Sequence, residues 1–530
     1  MGIYLNPGNS GFQEIVRSEY IDKTGLIDLV NQTIGTKSKL TCISRPRRFG
    51  KSFAAQMLCA YYDYSCDSRE LFDNRNIAKT DGYLKHLNQY HVINLDITSF
   101  VSTAQVEGMS LKDVPLMINN EILAEVREIY REIAGENDLT ESLIHCVERT
   151  GRKFVFVIDE WDALIREAKN DAETQSRYLN LLRKWFKNNS FTPKAVAAAY
   201  ITGILPIKKD GSQSAISDFT EYPILDPGEF AEYSGFTEGE VREICDKHGL
   251  SFEEAKNWYD GYDFPKIGAI YNPYSVMMAV KKKKFSSYWK KTSAAESLMT
   301  YINMDFEGLQ EIISRLIAGE EIEIDTEDFE NDFETFKSSA DVLTLLIHLG
   351  YLTWNEEEGT VRIPNEEVRT EFRKILKDRN VNQGWVKLLS RSRKLLEDTI
   401  AGKAENVAEA IDAVRRTQYA PTFYNDEQAL RYVIKFAYVA AIDQYLKVEE
   451  LPSGKGIADI VYLPKKKSLL PALIVELKWD KTAGGALEQM KGRDYPAVLK
   501  DYGGEIVGVG INYNSRTKAH TCEIERITYA

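Results

Sequence analysis

The sequence predicts an α/β protein in several folded parts. The expected parts are a mainly parallel N-terminal sheet, a helical middle stretch with a winged-helix-like end, and a second α/β unit at the C-terminus. Three observations carry this expectation. Short, nearly continuous apolar runs alternate with longer amphipathic stretches over residues 38–202, as when strands covered on both faces are joined by helices. Helical spacing dominates residues 237–377. Near the C-terminus, apolar strands return with charged residues inside them. At 530 residues the chain exceeds the about 250 to 300 that one core accommodates. Domains are expected at 1–236, 237–418 and 419–530.

The first four strands are read at Leu40-Thr-Cys-Ile-Ser44, His91-Val-Ile-Asn-Leu-Asp-Ile97, Phe154-Val-Phe-Val-Ile158 and Ala195-Val-Ala-Ala-Ala-Tyr-Ile-Thr202. Each is short and β-branched or aromatic in flavour. Residues 111–134 and 175–188 between them carry helical spacing. In the middle stretch, Tyr351-Leu-Thr-Trp354 and Thr360-Val-Arg-Ile363 flank an acidic turn, Asn355 to Gly359, and predict a small hairpin. Helices continue to about Arg416, and Tyr419-Ala-Pro421 marks a boundary because proline disfavours helix before it.

Apolar content of 43% and aromatic content of 11% are those of a chain folded nearly end to end. The 6 cysteines are scattered, without a CxxC pair or a Cys/His cluster, so free thiols in a reducing compartment are expected. The N-terminus lacks the plan of a signal peptide, and no apolar stretch approaches the roughly 20 residues of a membrane span. The expectation is a soluble, cytoplasmic protein without membrane attachment. A net charge of −13 argues against non-specific coating of nucleic acid. Any such site is local, and the basic runs Lys281 to Lys284, Lys465 to Lys467, and Arg391, Arg393 and Lys394 read first as solvated surface.

The sharpest N-terminal feature is Arg45-Pro46-Arg47-Arg48-Phe49-Gly50-Lys51-Ser52, placed between the first strand and an apolar-periodic helix, Phe53 to Tyr62. In that context Gly-Lys-Ser binds phosphate. N–H groups at the helix N-terminus face the anion, Lys51 reaches the terminal phosphates and Ser52 ligates Mg²⁺. Arg45 stands where the first glycine of the usual pattern belongs, so the loop path is expected to differ. Further on, the strand beginning at Phe154 ends in Asp159 and Glu160. Asp159 is the candidate Mg²⁺ partner, and Glu160 the base that polarises the attacking water. Together these residues predict a P-loop nucleoside-triphosphatase site for ATP and Mg²⁺. Thr202 is open between a γ-phosphate sensor and a strand cap. Arg47, Arg48, Lys208 and Lys209 are open between phosphate contacts and exposed cations.

The C-terminal strands Gly456-Ile-Ala-Asp-Ile-Val-Tyr462 and Leu473-Ile-Val-Glu-Leu-Lys478 carry the second constellation. Residues two apart share a strand face, so Glu476 and Lys478 stand together, and a hairpin brings Asp459 beside them. Two carboxylates hold a hard divalent ion, Mg²⁺ or Mn²⁺, and a lysine orients water or offsets phosphate charge. This is the chemistry of phosphodiester cleavage. Glu427, opening a helix from Asp426 to Ala441, and Gln489, on a helix from about Gly485 through Met490, are candidates to complete the site. Glu427 is also readable as a solvated first-turn acid, and Asp480 as a surface acid.

Taken together, these residues resemble bacterial and archaeal predicted AAA-ATPase-like proteins with a C-terminal PD-(D/E)XK nuclease domain. Further markers are Tyr20-Ile-Asp-Lys-Thr24, Ile158-Asp-Glu-Trp-Asp162, Thr202-Gly203, Gly235-Phe-Thr237, Trp258-Tyr-Asp-Gly-Tyr262, Tyr271-Asn-Pro-Tyr-Ser275, Gly350-Tyr-Leu-Thr353 and Pro364-Asn-Glu-Glu-Val368. The resemblance covers nearly the whole chain and makes the missing first glycine a family trait. It implies a restriction-endonuclease-like fold for residues 419–530, with Asp459, Glu476 and Lys478 in the motif positions. It also implies ATP and nucleic acid as partners, with oligomerisation open. An ATP-regulated nuclease is the leading expectation. A remodelling ATPase whose C-terminal part binds without cutting, and a nucleotide-dependent scaffold, are the others.

Overall fold

The computed structural model describes residues 2–131, 136–207, 209–210, 213–214, 216–264, 267–289, 308–326, 329, 338–377, 383–418, 424, 426–453, 456–465, 470–493, 499 and 504–527. Lys208, the side chain of Lys209, the boundary at 419–421 and Lys466 and Lys467 lie outside them. The chain forms two compact units. One is Met1–Leu298 with Glu323–Thr370, and the other Met299–Ile322 with Glu371–Ala530.

The first unit is built on a sheet of β1 (Leu40–Ser44), β2 (His91–Asp96), β3 (Phe154–Asp159), β4 (Val196–Gly203) and β5 (Thr220–Tyr222). Their order is β2-β3-β4-β1-β5, and every neighbouring pair is parallel. Side-chain alternation splits β3 between two cores. Phe154, Phe156 and Ile158 pack with α2 (Val114–Ile129) and α3 (Ala172–Phe186), while Val155 and Val157 pack with α1 (Lys51–Tyr62). Each large side chain so buried contributes roughly 1.5 to 3 kcal/mol. The short fifth strand, with only three residues, left no run for the sequence to show.

Beyond the sheet, α4 (Glu238–His248) starts at a Thr237 capping box with Glu240. It is followed by α5 (Phe252–Tyr259) and α6 (Pro273–Lys282). The stretch expected to be mostly helical also contains a small sheet of β6 (Phe236–Thr237), β7 (Tyr262–Phe264) and β8 (Gly268–Tyr271), too short for a period-2 signal. The hairpin joins β9 (Thr353–Asn355) to β10 (Thr360–Arg362), pairing Trp354 with Val361, and follows α7 (Ser339–His348).

The second unit centres on β11 (Tyr445–Ser453), β12 (Gly456–Pro464), β13 (Ala472–Trp479), β14 (Ile506–Asn514) and β15 (Ala519–Ile527), adjacent in that order. Only the β13–β14 pair is parallel among these neighbours. Leu473, Val475 and Leu477 share a core with α8 (Gln383–Ile400), α9 (Ala404–Gln418) and α10 (Glu427–Ala437). Ala472 and Ile474 face Leu487 and Met490 of α11 (Ala483–Gly492). The boundary expected at 418 is therefore displaced. Leu395, Leu396, Val407 and Ile411 are buried among the C-terminal strands, so α8 and α9 belong to this unit rather than to the middle stretch.

Candidate functional site

In the first unit, β1 delivers residues 45–50 to the N-terminus of α1. Within the loop φ is positive at Arg48 (+72°) and at Gly50 (+87°). Both are left-handed, the geometry in which successive N–H groups turn toward an anion. Lys51 folds back over this loop, and its Nζ donates to the carbonyls of Arg45 and Pro46, each at 3.1 Å. Its third partner is Oε1 of Glu160 at 3.3 Å.

Four loop side chains bond to or pack against the protein around the loop. Arg45 is fully buried, donating to the carbonyls of Ser44 at 2.8 Å and Tyr222 at 2.6 Å. Pro46 lies where a Cβ on Gly350 would stand 2.7 Å away. Arg48 donates to the Tyr288 carbonyl at 2.8 Å and stacks on Tyr274, and the Phe49 ring meets Tyr262 edge-on. Buried guanidinium groups need acceptors, and backbone carbonyls supply them here. The loop thus holds the surrounding strands and helices, and its backbone, Arg47, Lys51 and Ser52 line a cavity.

Opposite the loop, Asp159 closes β3 beside Asp96 of β2, and the Thr202 hydroxyl on β4 donates to Oδ1 of Asp159. Glu160 follows at φ +50°, an uncommon conformation for a residue with a Cβ. Its Oε2 accepts from Arg166 at 2.7 Å. Burial raises the proton affinity of Glu160, but Lys51, Arg166 and Arg47 outweigh it and hold the carboxyl below its usual range. Burial, with Asp159 adding to it, raises Asp96. A cavity of about 700 Å³ joins Arg47, Lys51, Ser52, Asp159 and Glu160 to an apolar wall that includes Tyr20, Tyr233, Phe236 and Met277. Its size suits a nucleotide, and its polar end has the cation, hydroxyl and carboxylates that a phosphate–Mg²⁺ group requires.

In the second unit, β13 carries Glu476 and Lys478 inward on one face. They are 2% and 7% exposed, and Lys478 Nζ donates to Glu476 Oε1 at 3.0 Å. Gln489 reaches the same oxygen from α11. Gly510, opposite Glu476 on β14, permits this approach, because a Cβ there would collide with the Ala483 carbonyl. The β12–β13 ladder ends at Ile460 with Val475, and just beyond it Asp459 turns its Oδ2 to the N–H of Leu477 at 2.8 Å. Burial first, then Asp459, pushes Glu476 up to about 7. Glu476 Oε2 is buried without a hydrogen-bond partner. That orphaned oxygen and the nearby Asp459 are of the oxygen type that hard divalent cations take, while no group of three or more His, Cys, Asp or Glu side chains placed to hold a metal occurs among the described residues.

From α10, Arg431 reaches this cluster. Arg431 donates to Asp459 Oδ1 at 2.8 Å, while Glu427 sits one turn earlier, half-buried. Helical spacing offered a signal for this, since residues four apart share a face. Asp480 is more than a surface acid: it closes the turn after β13 by accepting from the N–H and hydroxyl of Ser515, both at 2.7 Å. Lysines 281–284 and residues 391, 393 and 394 are exposed.

Comparison with known proteins places the N-terminal part. Residues 7–212 match the family model described as a predicted AAA-ATPase. That region is AAA-ATPase-like. The second unit lies outside the match. A protein of Azotobacter chroococcum mcd 1, described as "Uncharacterized protein in vnfD 5'region", is 21% identical over 515 residues, covering 94% of each chain. Among solved structures, the Aeropyrum pernix ORC2 protein in ADPNP-ADP complexes aligns over 68% of this chain and 96% of its own, with 11% identity and a TM-score of 0.33. C. elegans PCH-2 aligns over 55% of this chain and 62% of its own, with 14% identity and a TM-score of 0.20. No described helix is long and apolar enough to cross a membrane.

Sequence reasoning missed Asp96, Arg166 and Arg431. Asp96 ends an apolar strand, the same signal that marked Asp159. Arg166 carries no motif of its own, and only the turn after Glu160 brings it back to that carboxylate.

Proposed function

We propose that this chain binds and hydrolyses ATP at the Lys51–Glu160 site, and that its C-terminal unit is a Mg²⁺- or Mn²⁺-dependent nuclease under nucleotide control. The observation that carries the first part is the lining of one cavity by Lys51, Ser52, Asp159 and Glu160, with Lys51 Nζ 3.3 Å from Glu160. Lys51 and the helix N-terminus hold the phosphates, Ser52 and Asp159 the metal, and Glu160 takes a proton from the attacking water. Supporting the second part is the buried Glu476, Lys478 and Gln489 cluster beside Asp459. Asp459 and Glu476 would ligate the ion, and Lys478 would meet water or the scissile phosphate. The test is ATP turnover and nucleic-acid cleavage in one preparation, with Lys51→Ala expected to lose the first and Asp459→Ala the second. A remodelling ATPase whose C-terminal unit only binds nucleic acid is the second reading, favoured by one observation: both Asp459 oxygens are already engaged.

A further inference from the structure

The segment after β3 is tied to the tip of β4 by more contacts than a connecting turn needs. The N–H of Trp161 donates to the Thr202 carbonyl at 2.8 Å, and Tyr178 Oη donates to the Trp161 carbonyl at 2.8 Å. Asp162 is 1% exposed, and its Oδ2 accepts from the N–H groups of Ile204 at 3.2 Å and Leu205 at 3.0 Å. Gly203 makes room for this, since a Cβ there would stand 2.7 Å from the Trp161 ring. The Asp159-Glu-Trp-Asp162 and Thr202-Gly203 strings are thus two sides of one junction.

Arg166 spans that junction and the cavity. Its Nε donates to Asp162 Oδ2 at 3.0 Å and its Nη2 to Glu160 Oε2 at 2.7 Å. A guanidinium can bridge two carboxylates in fixed directions, which an ammonium cannot. Glu160 itself is left-handed, a state that persists only where its surroundings over-determine it.

We propose that Arg166 is the positioning residue of Glu160, braced through Asp162 on the tip of β4, so that the aim of the base is tied to the strand that carries Thr202. This rests on the ATP-hydrolysis reading above. Arg166 makes no bond to phosphate in this role; it acts through Glu160. Movement of Thr202 or Asp159 when phosphate is bound or released would pass along Ile204, Leu205 and Asp162 to the Glu160 carboxylate.

A double-mutant cycle on full-length protein tests it. Arg166→Gln should lower the kcat of ATP hydrolysis by about 100-fold, the scale of an ångström-level misplacement, with KM and nucleotide affinity within about twofold. Arg166→Lys, which keeps the charge but not the bridge, should fall between Gln and wild type. Glu160→Gln with Arg166→Gln should be no slower than Glu160→Gln alone, because one residue acts through the other. An additive loss would make Arg166 an independent phosphate contact and overturn the proposal, as would wild-type kcat in Arg166→Gln. Should Arg166→Gln fail a thermal melt, Arg166→Lys completes the same cycle. Absence of turnover in wild type would overturn both readings; wild-type turnover with additive losses overturns this one alone.

Discussion

Arg431 and the backbone N–H of Leu477 between them engage both oxygens of Asp459, each at 2.8 Å. A divalent ion at this carboxylate therefore competes with Arg431 for Oδ1. Arg431→Ala should tighten Mn²⁺ binding by roughly fivefold, equivalent to the about 1 kcal/mol of a modest ion pair. Isothermal titration of the folded variant reads this directly. Weaker binding would mean that Arg431 organises the site instead of guarding it.

At the proposed nucleotide site, ground-state and transition-state contacts should separate by residue. Lys51→Ala should weaken ATP binding by about 10- to 100-fold, the loss of one to two charge-assisted hydrogen bonds. Glu160→Gln should bind ATP as wild type does yet hydrolyse it about 100-fold more slowly, as expected for removal of a general base. Equilibrium binding and single-turnover hydrolysis on both variants distinguish the two roles. Wild-type turnover by Glu160→Gln would remove the base assignment.

Glu476 gives the C-terminal unit a defined pH dependence. With its folded value pushed up to about 7 against an ordinary value of 4.5, the folded chain keeps a proton that the unfolded chain loses first. Its contribution to stability therefore falls as pH rises from about 4.5 through about 7, by at most about 3 kcal/mol. Without divalent cations, Glu476→Gln should melt higher than wild type at pH 8 and alike at pH 4.5. Mn²⁺, which favours the carboxylate, should raise the wild-type melting temperature more at pH 8 than at pH 5.5. Calorimetry in the two buffers checks the sign, and equal stabilisation at both pH values would refute it.

Gly510→Ala should push α11 off the sheet, because its Cβ meets the Ala483 carbonyl and lies 3.1 Å from the Ala486 Cβ. A loss of about 1 to 3 kcal/mol is expected from overpacking, with Gln489 withdrawn from Glu476 and cleavage reduced. Gly492→Ala, at the end of the same helix with open space around it, should leave both unchanged. Denaturant melts of the two variants make the comparison.

The parts legible in the sequence were those written in local periodicity. The four long strands of the first sheet, the hairpin at residues 353–362 and the strands around Asp459 and Glu476 each showed as apolar runs or alternation. Gln489 was legible because its helix has caps and spacing. What stayed hidden depended on long-range pairing: the three-residue β5, the small sheet of β6, β7 and β8, and the burial of α8 and α9 against C-terminal strands. In the candidate sites, the sequence already pointed to Lys51, Ser52, Asp159 and Glu160 as neighbours, and they line one cavity. The partners of Arg45, Arg48 and Phe49 at Tyr222, Tyr288 and Tyr262 lie far off in sequence and stayed hidden. The motif marks the loop but not which side chains leave it, and a buried arginine among carbonyls looks in sequence like one awaiting phosphate. Arg166 and Arg431 were invisible because their partners are set by a turn and by helix docking.

The central claim is that one chain carries an ATP-hydrolysing site and a separate metal-dependent cleaving site. The most direct measurement is cleavage of labelled DNA and RNA by purified full-length protein in Mg²⁺ or Mn²⁺, with ATP turnover followed in the same tube, for wild type and folded Asp459→Ala. Wild type should cleave, Asp459→Ala should not, and ATP turnover should be undiminished in both. Cleavage by Asp459→Ala at the wild-type rate would contradict the claim and leave the C-terminal unit as a binding partner of the ATPase.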